Sequence, residues 1–168
     1  MFLVKKGCTS VIKGEIDVDA QSGSEGFEWV VGARKKDIEW DMMKTIKTKN
    51  AQKQFYKLSE WFSNGILPES PHLLSLTEEG IFSWGDLTYK SGETLEEYFE
   101  HHELGPDCKY PVNIYSYIEN GEYFSQGDMC LFGMSVSDKP KTEWRKMTQD
   151  YIDRISEDNV LIPVYCHI

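Results

Sequence analysis

Hydrophobic positions repeat at two periods along this chain, and the switches between them predict its elements. Ile16 and Val18 alternate with Asp17 and Asp19, so residues 2–4 and 11–18 read as extended. A turn-rich run over 20–26 separates them from a strand over 27–33. Ile38, Trp40 and Met42 continue at period two, which predicts a hairpin around 34–37, with a short helix over 43–47 as the competing reading. From 51 the period becomes helical, with Phe55, Leu58 and Phe62 on one face. Asn50 caps that helix, and Asn64-Gly65 followed by Pro68 ends it. Residues 73–76 and 81–89 read as two strands around Glu78-Glu79-Gly80. Thr94-x-x-Glu97 is a capping box that opens a short helix with Leu95, Tyr98, Phe99 and His102 inward, closed by Gly105-Pro106.

Asn120-Gly121 is the clearest local signal. That dipeptide tolerates positive φ at both centres of a type I′ turn, so the runs 112–118 and 122–125 are expected to pair as a hairpin. Residues 129–136 extend the sheet. Trp144, Met147, Tyr151, Ile152 and Ile155 form one stripe of a helix over 142–156. A closing strand over 160–168 contains Pro163, which cannot donate a ladder bond and so calls for an edge or a bulge. This order predicts an α+β fold, a mainly antiparallel sheet with about three helices packed mostly on one face. Regular βαβ alternation is missing, which disfavours a doubly wound nucleotide fold. A length of 168 residues fits a single domain over 1–168. A chain of that size buries roughly 70% of its extended surface, so no disulfide or structural metal is required.

Charge narrows the function classes. Eighteen Lys and Arg stand against 28 Asp and Glu, for a net charge of −10. That balance argues against a protein that coats DNA or RNA, and against attachment to anionic lipid. No apolar run approaches a bilayer span. Lys5-Lys6 interrupt the apolar residues Phe2-Leu3-Val4, so no export signal is expected and the cytoplasm is the expected location. Cys8, Cys108, Cys130 and Cys166 form no C-x-x-C pair and are expected as reduced thiols, with Cys130 and Cys166 acting as small core residues.

Each reactive constellation has a plainer reading beside it. His102, Cys108, Cys166 and His167 would have to be brought together by the tertiary fold to hold zinc, since they lack ligand spacing. A surface histidine beside a half-buried one accounts for His101-His102 equally well. Cys108 or Cys130 with His72, His102 or His167 as base could form a nucleophilic dyad, but such a dyad is recognised by geometry. Neither phosphate-binding glycine motif is present. No catalytic residue, cofactor or metal ligand is therefore assigned.

The distribution of charge is more distinctive. From Arg34 to Lys57 eight basic residues face three acidic ones, whereas from Glu78 to Asp107 nine acids accompany one base, Lys90. Phe82, Trp84, Tyr89, Tyr98 and Phe99 interleave the acidic stretch. Acids with aromatic neighbours can steer a basic partner and then anchor it; an acidic soluble domain with its rings inside is the plainer alternative. In size, charge and architecture over its whole length, the chain resembles the immunity proteins of bacterial toxin systems. The resemblance implies a non-enzymatic inhibitor that occludes the active site of a basic, nuclease-type toxin. Trp84, Tyr89, Glu93, Glu96, Glu100, Glu103 and Asp107 are the expected partner-binding residues. Direct nucleic-acid or membrane binding is not expected. A hydrolase-like enzyme without a recognisable motif, a nucleic-acid mimic and an assembly subunit are the alternatives.

Overall fold

A computed structural model describes residues 1–13, 25–65, 74–77, 80–83, 88–129 and 135–164. The chain is α+β: among these residues there are three α-helices, and every strand pairing is antiparallel. The elements begin with β1 (Phe2–Lys5), β2 (Val11–Ile12), β3 (Phe27–Val30) and β4 (Gly32–Arg34), then a 3-10 turn over Lys35–Asp37 and helix α1 (Trp40–Asn64). Next come β5 (Leu74–Thr77), β6 (Gly80–Ser83), β7 (Thr88–Lys90) and α2 (Leu95–His101). The last are β8 (Ser116–Glu119), β9 (Glu122–Ser125), β10 (Asp128–Met129), β11 (Ser135–Val136), α3 (Lys141–Arg154) and β12 (Val160–Leu161). The pairing is distributed over small sheets: β1–β3, β12–β4–β2, β5–β6–β7, β8–β9 and β10–β11. Two compact units result, Met1–Met43 with Val112–Ile168, and Lys44–Pro111.

In the first unit β1 is covered on both faces, and Phe2, Leu3 and Val4 are all buried. Its register places Leu3 opposite Trp29, and on its other edge Val4 bridges Ile38. The run over 27–33 is interrupted at Val31, whose N–H goes to the Ile12 carbonyl; β3 serves β1 while β4 serves β2 and β12. The alternation at Ile38, Trp40 and Met42 does not make a strand. The Glu39 N–H is fixed to the Leu3 carbonyl, and the Glu39 carbonyl accepts the Met43 N–H at 2.9 Å, which starts α1. Met43 is fully buried, and its sulfur accepts the Leu3 N–H at 3.4 Å. Asn50 is thus an exposed interior position of a 25-residue helix and not its cap. The hairpin expected at 34–37 is the 3-10 turn, pinned by Lys35 and Lys36 N–H bonds to the Asn159 and Glu157 carbonyls.

The β8–β9 hairpin forms as its turn dipeptide predicts. Asn120 and Gly121 both have positive φ, at 52° and 85°, and Glu119 pairs with Glu122 across the two-residue loop. The first strand is shorter than the apolar run, starting at Ser116. Tyr117 stacks on Phe124, Trp144 and Tyr151, joining the hairpin to α3. Trp144 and Ile152 on α3 are buried, with Thr148 between them in the same row, while Met147, Tyr151 and Ile155 are half-buried. The strand expected over 129–136 is instead the antiparallel pair β10–β11. Within the strand expected over 160–168, the pairing among the described residues runs through Val160 and Leu161, at the edge of its sheet, with Pro163 just beyond. Residues 14–18 and 165–168 lie outside the described residues.

In the second unit the buried cluster is Ala51, Leu58, Tyr89, Tyr98 and Leu104, with Phe55, Trp61, Phe62 and Phe99 packed against it. Phe55 meets Tyr89 at 5.7 Å and Tyr98 at 5.4 Å, both edge-on. α1 ends as its sequence predicts, at Asn64, with Gly65 at φ 63°. The strand expected over 81–89 is two strands: β6 and β7 pair antiparallel, Gly80 opposite Lys90, so the chain reverses between Ser83 and Thr88.

Candidate partner-binding face on helix α2

The candidate face is assembled around α2 by local hydrogen bonds. Thr94 caps the helix: its hydroxyl accepts the Glu97 N–H at 3.2 Å, and the Glu97 carboxylate accepts the Thr94 N–H at 2.7 Å. These satisfy two donors that a helix start leaves without partners. The Thr94 backbone bond, with its hydroxyl adding to it, holds the Glu97 carboxyl below the usual glutamate range. One residue before the cap, Glu93 accepts the Lys90 N–H at 2.6 Å through one oxygen, and its other oxygen meets His101 Nδ1 at 3.1 Å. The Glu93 side chain is only 5% exposed.

The helix end is equally defined. Glu103 lies in the left-handed region at φ 56°. The Leu104 N–H reaches the Phe99 carbonyl at 2.7 Å, and the Glu103 N–H reaches that of Glu100 at 3.1 Å. This is the double-bonded Schellman ending, with a glutamate where glycine is usual. Between cap and ending, Tyr98 is fully buried. Burial, with the Glu93 carboxylate adding to it, pushes its phenol up to about 12, and its hydroxyl has no hydrogen-bond partner among the described residues.

The expected partner residues thus divide. Glu96 and Glu100, four apart, are exposed on one face of α2; Asp107 is exposed after it, and Glu103 is partly exposed. Glu93 is inside, holding the turn into the helix, and Tyr89 is 6% exposed within the core cluster. Trp84 lies outside the described residues. Six cations of the basic segment have other partners among the described residues. Arg34 pairs with Asp37, Lys35 with Glu157 and Lys36 with Asp158. Lys44 donates to the Pro106 and Cys108 carbonyls, Lys47 to that of Pro111, and Lys57 sits over the Trp61 ring. Sequence reasoning missed this use of lysines on carbonyls, because nothing near Lys44 or Lys47 in the chain signals the loop that receives them.

No protein-family model, curated protein or solved structure matches this chain. The geometry must therefore carry the reading. His102 packs on the Tyr98 ring at 4.3 Å and Cys108 is buried, while His72, Cys130, Cys166 and His167 lie outside the described residues. Among the described residues no three His, Cys, Asp or Glu side chains converge as a metal-ligand set. Within the same residues no helix is long and apolar enough to cross a membrane.

Proposed function

We propose that this chain is a binding protein that neutralises a cationic protein partner through the exposed carboxylates of α2. A bacterial immunity protein, held in the cytoplasm of the producing cell and occluding a nuclease-type toxin, is the form this takes. The observation that carries the reading is the division of labour along α2. Glu93 and Glu97 are spent fixing the helix, whereas Glu96 and Glu100 are exposed on one face of it, with the Glu100 carboxylate lying against Gly105. A fixed row of charge loses little side-chain and backbone freedom on binding and accelerates encounter with an opposite charge. Glu103 and Asp107 add two further carboxylates in the residues that follow the helix, Glu103 half-buried and Asp107 exposed. A nuclease site is basic because it binds phosphate, so it is the complementary surface.

The test is capture of the partner from the native host by the tagged chain at low and high salt, followed by assay of the partner's activity. A single basic protein, retained in stoichiometric amount and inhibited by the chain, is the expected result. Glu96→Lys with Glu100→Lys should slow association at least tenfold, most strongly at low salt. Inhibition that is unchanged by this double reversal would remove α2 from the interface.

A further inference from the structure

Exposed apolar side chains gather on the β12–β4–β2 sheet. Val160 lies on β12, Ile162 and Val164 follow it at a period of two, and Ile12 lies on β2; all are exposed. Gly32 on β4 separates Ile12 from Ile162. A Cβ placed there would come within 3.1 Å of Ile162 Cγ1 and 3.2 Å of Ile12 Cδ1, so the two isoleucines close over the glycine on one face. The Asn159 carbonyl accepts the Lys35 N–H at 2.9 Å, and Leu161 opposes Ala33 in the same register. Hydrogen bonds alternate along such a pair, so Asn159 and Leu161 face β4 while the backbone groups of Val160 and Ile162 face outward. β12 is the edge strand of this sheet among the described residues. By the same alternation the donor that Pro163 lacks belongs to the inner side, so the outer edge keeps its N–H groups.

We propose that this edge is a dimer contact, in which β12 and the residues up to Val164 pair antiparallel with the same segment of a second copy about a two-fold axis at Ile162. What selects a second copy is that the segment matches itself. Its outward residues read Val160, Ile162, Val164, the same in both directions. Antiparallel pairing therefore sets Ile162 against Ile162, and Val160 against Val164 of the second copy. Each pair exchanges its N–H and C=O groups and places apolar side chains directly opposite each other. A strand of another protein would find no charged side chain between 160 and 164 to select it. The charges that flank the edge are satisfied within each copy: Lys35 pairs with Glu157, Lys36 with Asp158 and Arg34 with Asp37. The contact is isologous, so association closes at two copies. It uses no residue of α2, so its failure leaves the partner-binding reading standing, and the reverse also holds.

A pairing this short is below the size of a standard interface, so the dimer is expected to be weak and to form at high concentration. Sedimentation velocity on the purified chain, from the micromolar to the millimolar range, should show a reversible monomer–dimer equilibrium and no larger species. Association should strengthen as ionic strength rises to about 0.5 M, since salt screens the repulsion between two chains of net charge −10. I162K and I162E each set like charges against each other at the axis and should weaken the dimer by about tenfold or more, while an equimolar mixture of the two should restore it. I12K and I118K place the same charge on an exposed isoleucine of β2 and of the β8–β9 hairpin, and each should retain most of the association. Amide exchange at Val160 and Ile162 should slow as the dimer forms, which distinguishes pairing along the edge from stacking of the apolar face. Far-UV circular dichroism establishes that each variant is folded. A chain that stays monomeric across this range overturns the proposal, as does a dimer that survives I162K, is lost equally in I12K, or leaves those amides unprotected.

Discussion

The Glu93 carboxylate meets His101 Nδ1 at 3.1 Å across the full length of α2, joining the residue before the cap to the last residue of the helix. The same carboxylate takes the Lys90 N–H at 2.6 Å, so one nearly buried side chain closes the β7–α2 turn and braces the helix from outside its own ladder. A carboxyl group in that position is tolerated because its oxygens are hydrogen-bonded. It also explains why α2, only seven residues long, can present Glu96 and Glu100 in a fixed direction.

Glu93→Ala is expected to lower unfolding free energy by about 2 kcal/mol, within the range for deleting an acceptor that serves a backbone donor and a charged or polar side chain. Glu93→Gln keeps the acceptor for Lys90 and should lose less. Urea unfolding followed at 222 nm measures both. Equal losses would mean that the contact with His101, not the turn, carries the effect.

Glu103 supplies the opposite case, a residue that costs stability where it stands. Its left-handed backbone is unfavourable for any side chain with a Cβ by about 1–2 kcal/mol, partly offset by the greater chain entropy glycine loses on folding. Glu103→Gly should therefore raise the unfolding free energy by about 1 kcal/mol with an unchanged denaturant slope. Glu103→Val should lower it, since a β-branched residue suits that conformation worse. A destabilised glycine variant would show that the Glu103 side chain makes a contact worth more than the backbone relief.

How much of this was legible in the sequence follows from how local each cause is. The Thr94–Glu97 box and the Asn120-Gly121 turn were readable because the side chains and the backbone groups they serve lie within three residues. The start of α1 was not, since it depends on Glu39 reaching Leu3 and on Met43 filling a site beneath β1. The reversals inside 81–89 and 129–136 were hidden for a related reason: an apolar run looks the same whether it continues or folds back on itself. At the candidate face, Glu96 and Glu100 follow from the helical period once Tyr98 is inside. Nothing in the period places Glu93 or Tyr89 in the interior, because the neighbours that bury them come from elsewhere in the fold.

Lys35 tests the role of the basic segment as internal structure. It is 5% exposed, and its ammonium lies 3.2 Å from the Ile155 carbonyl, 3.4 Å from that of Asp153 and 2.9 Å from Glu157. A cation among the last carbonyls of α3 satisfies acceptors the helix leaves open and complements its dipole. Lys35→Met keeps the aliphatic stem and removes the charge, so it should cost about 2 kcal/mol. Glu157→Gln, at an exposed partner, should cost well under 1 kcal/mol. A Met variant as stable as the wild type would show that water serves those carbonyls equally well.

Acid stability should depend on Asp37. The Ser10 hydroxyl donates to its carboxylate, and Arg34 Nε lies at 2.9 Å. The Ser10 bond holds the Asp37 carboxyl below the usual aspartate range, with the Arg34 guanidinium adding to it against the opposing effect of burial. A carboxyl with a lower pKa folded than unfolded contributes stability that is complete above the unfolded value, about 3.9, and is lost as pH falls toward the folded one. Asp37→Asn should therefore be less stable than wild type by about 1 kcal/mol near neutrality. That difference should be constant down to about pH 5 and shrink below about pH 4, as the wild-type group takes up its proton. Thermal melts of both proteins between pH 7 and pH 2.5 give the comparison. A gap that widens on acidification would carry the wrong sign, and would place the stabilising charge on a group other than Asp37.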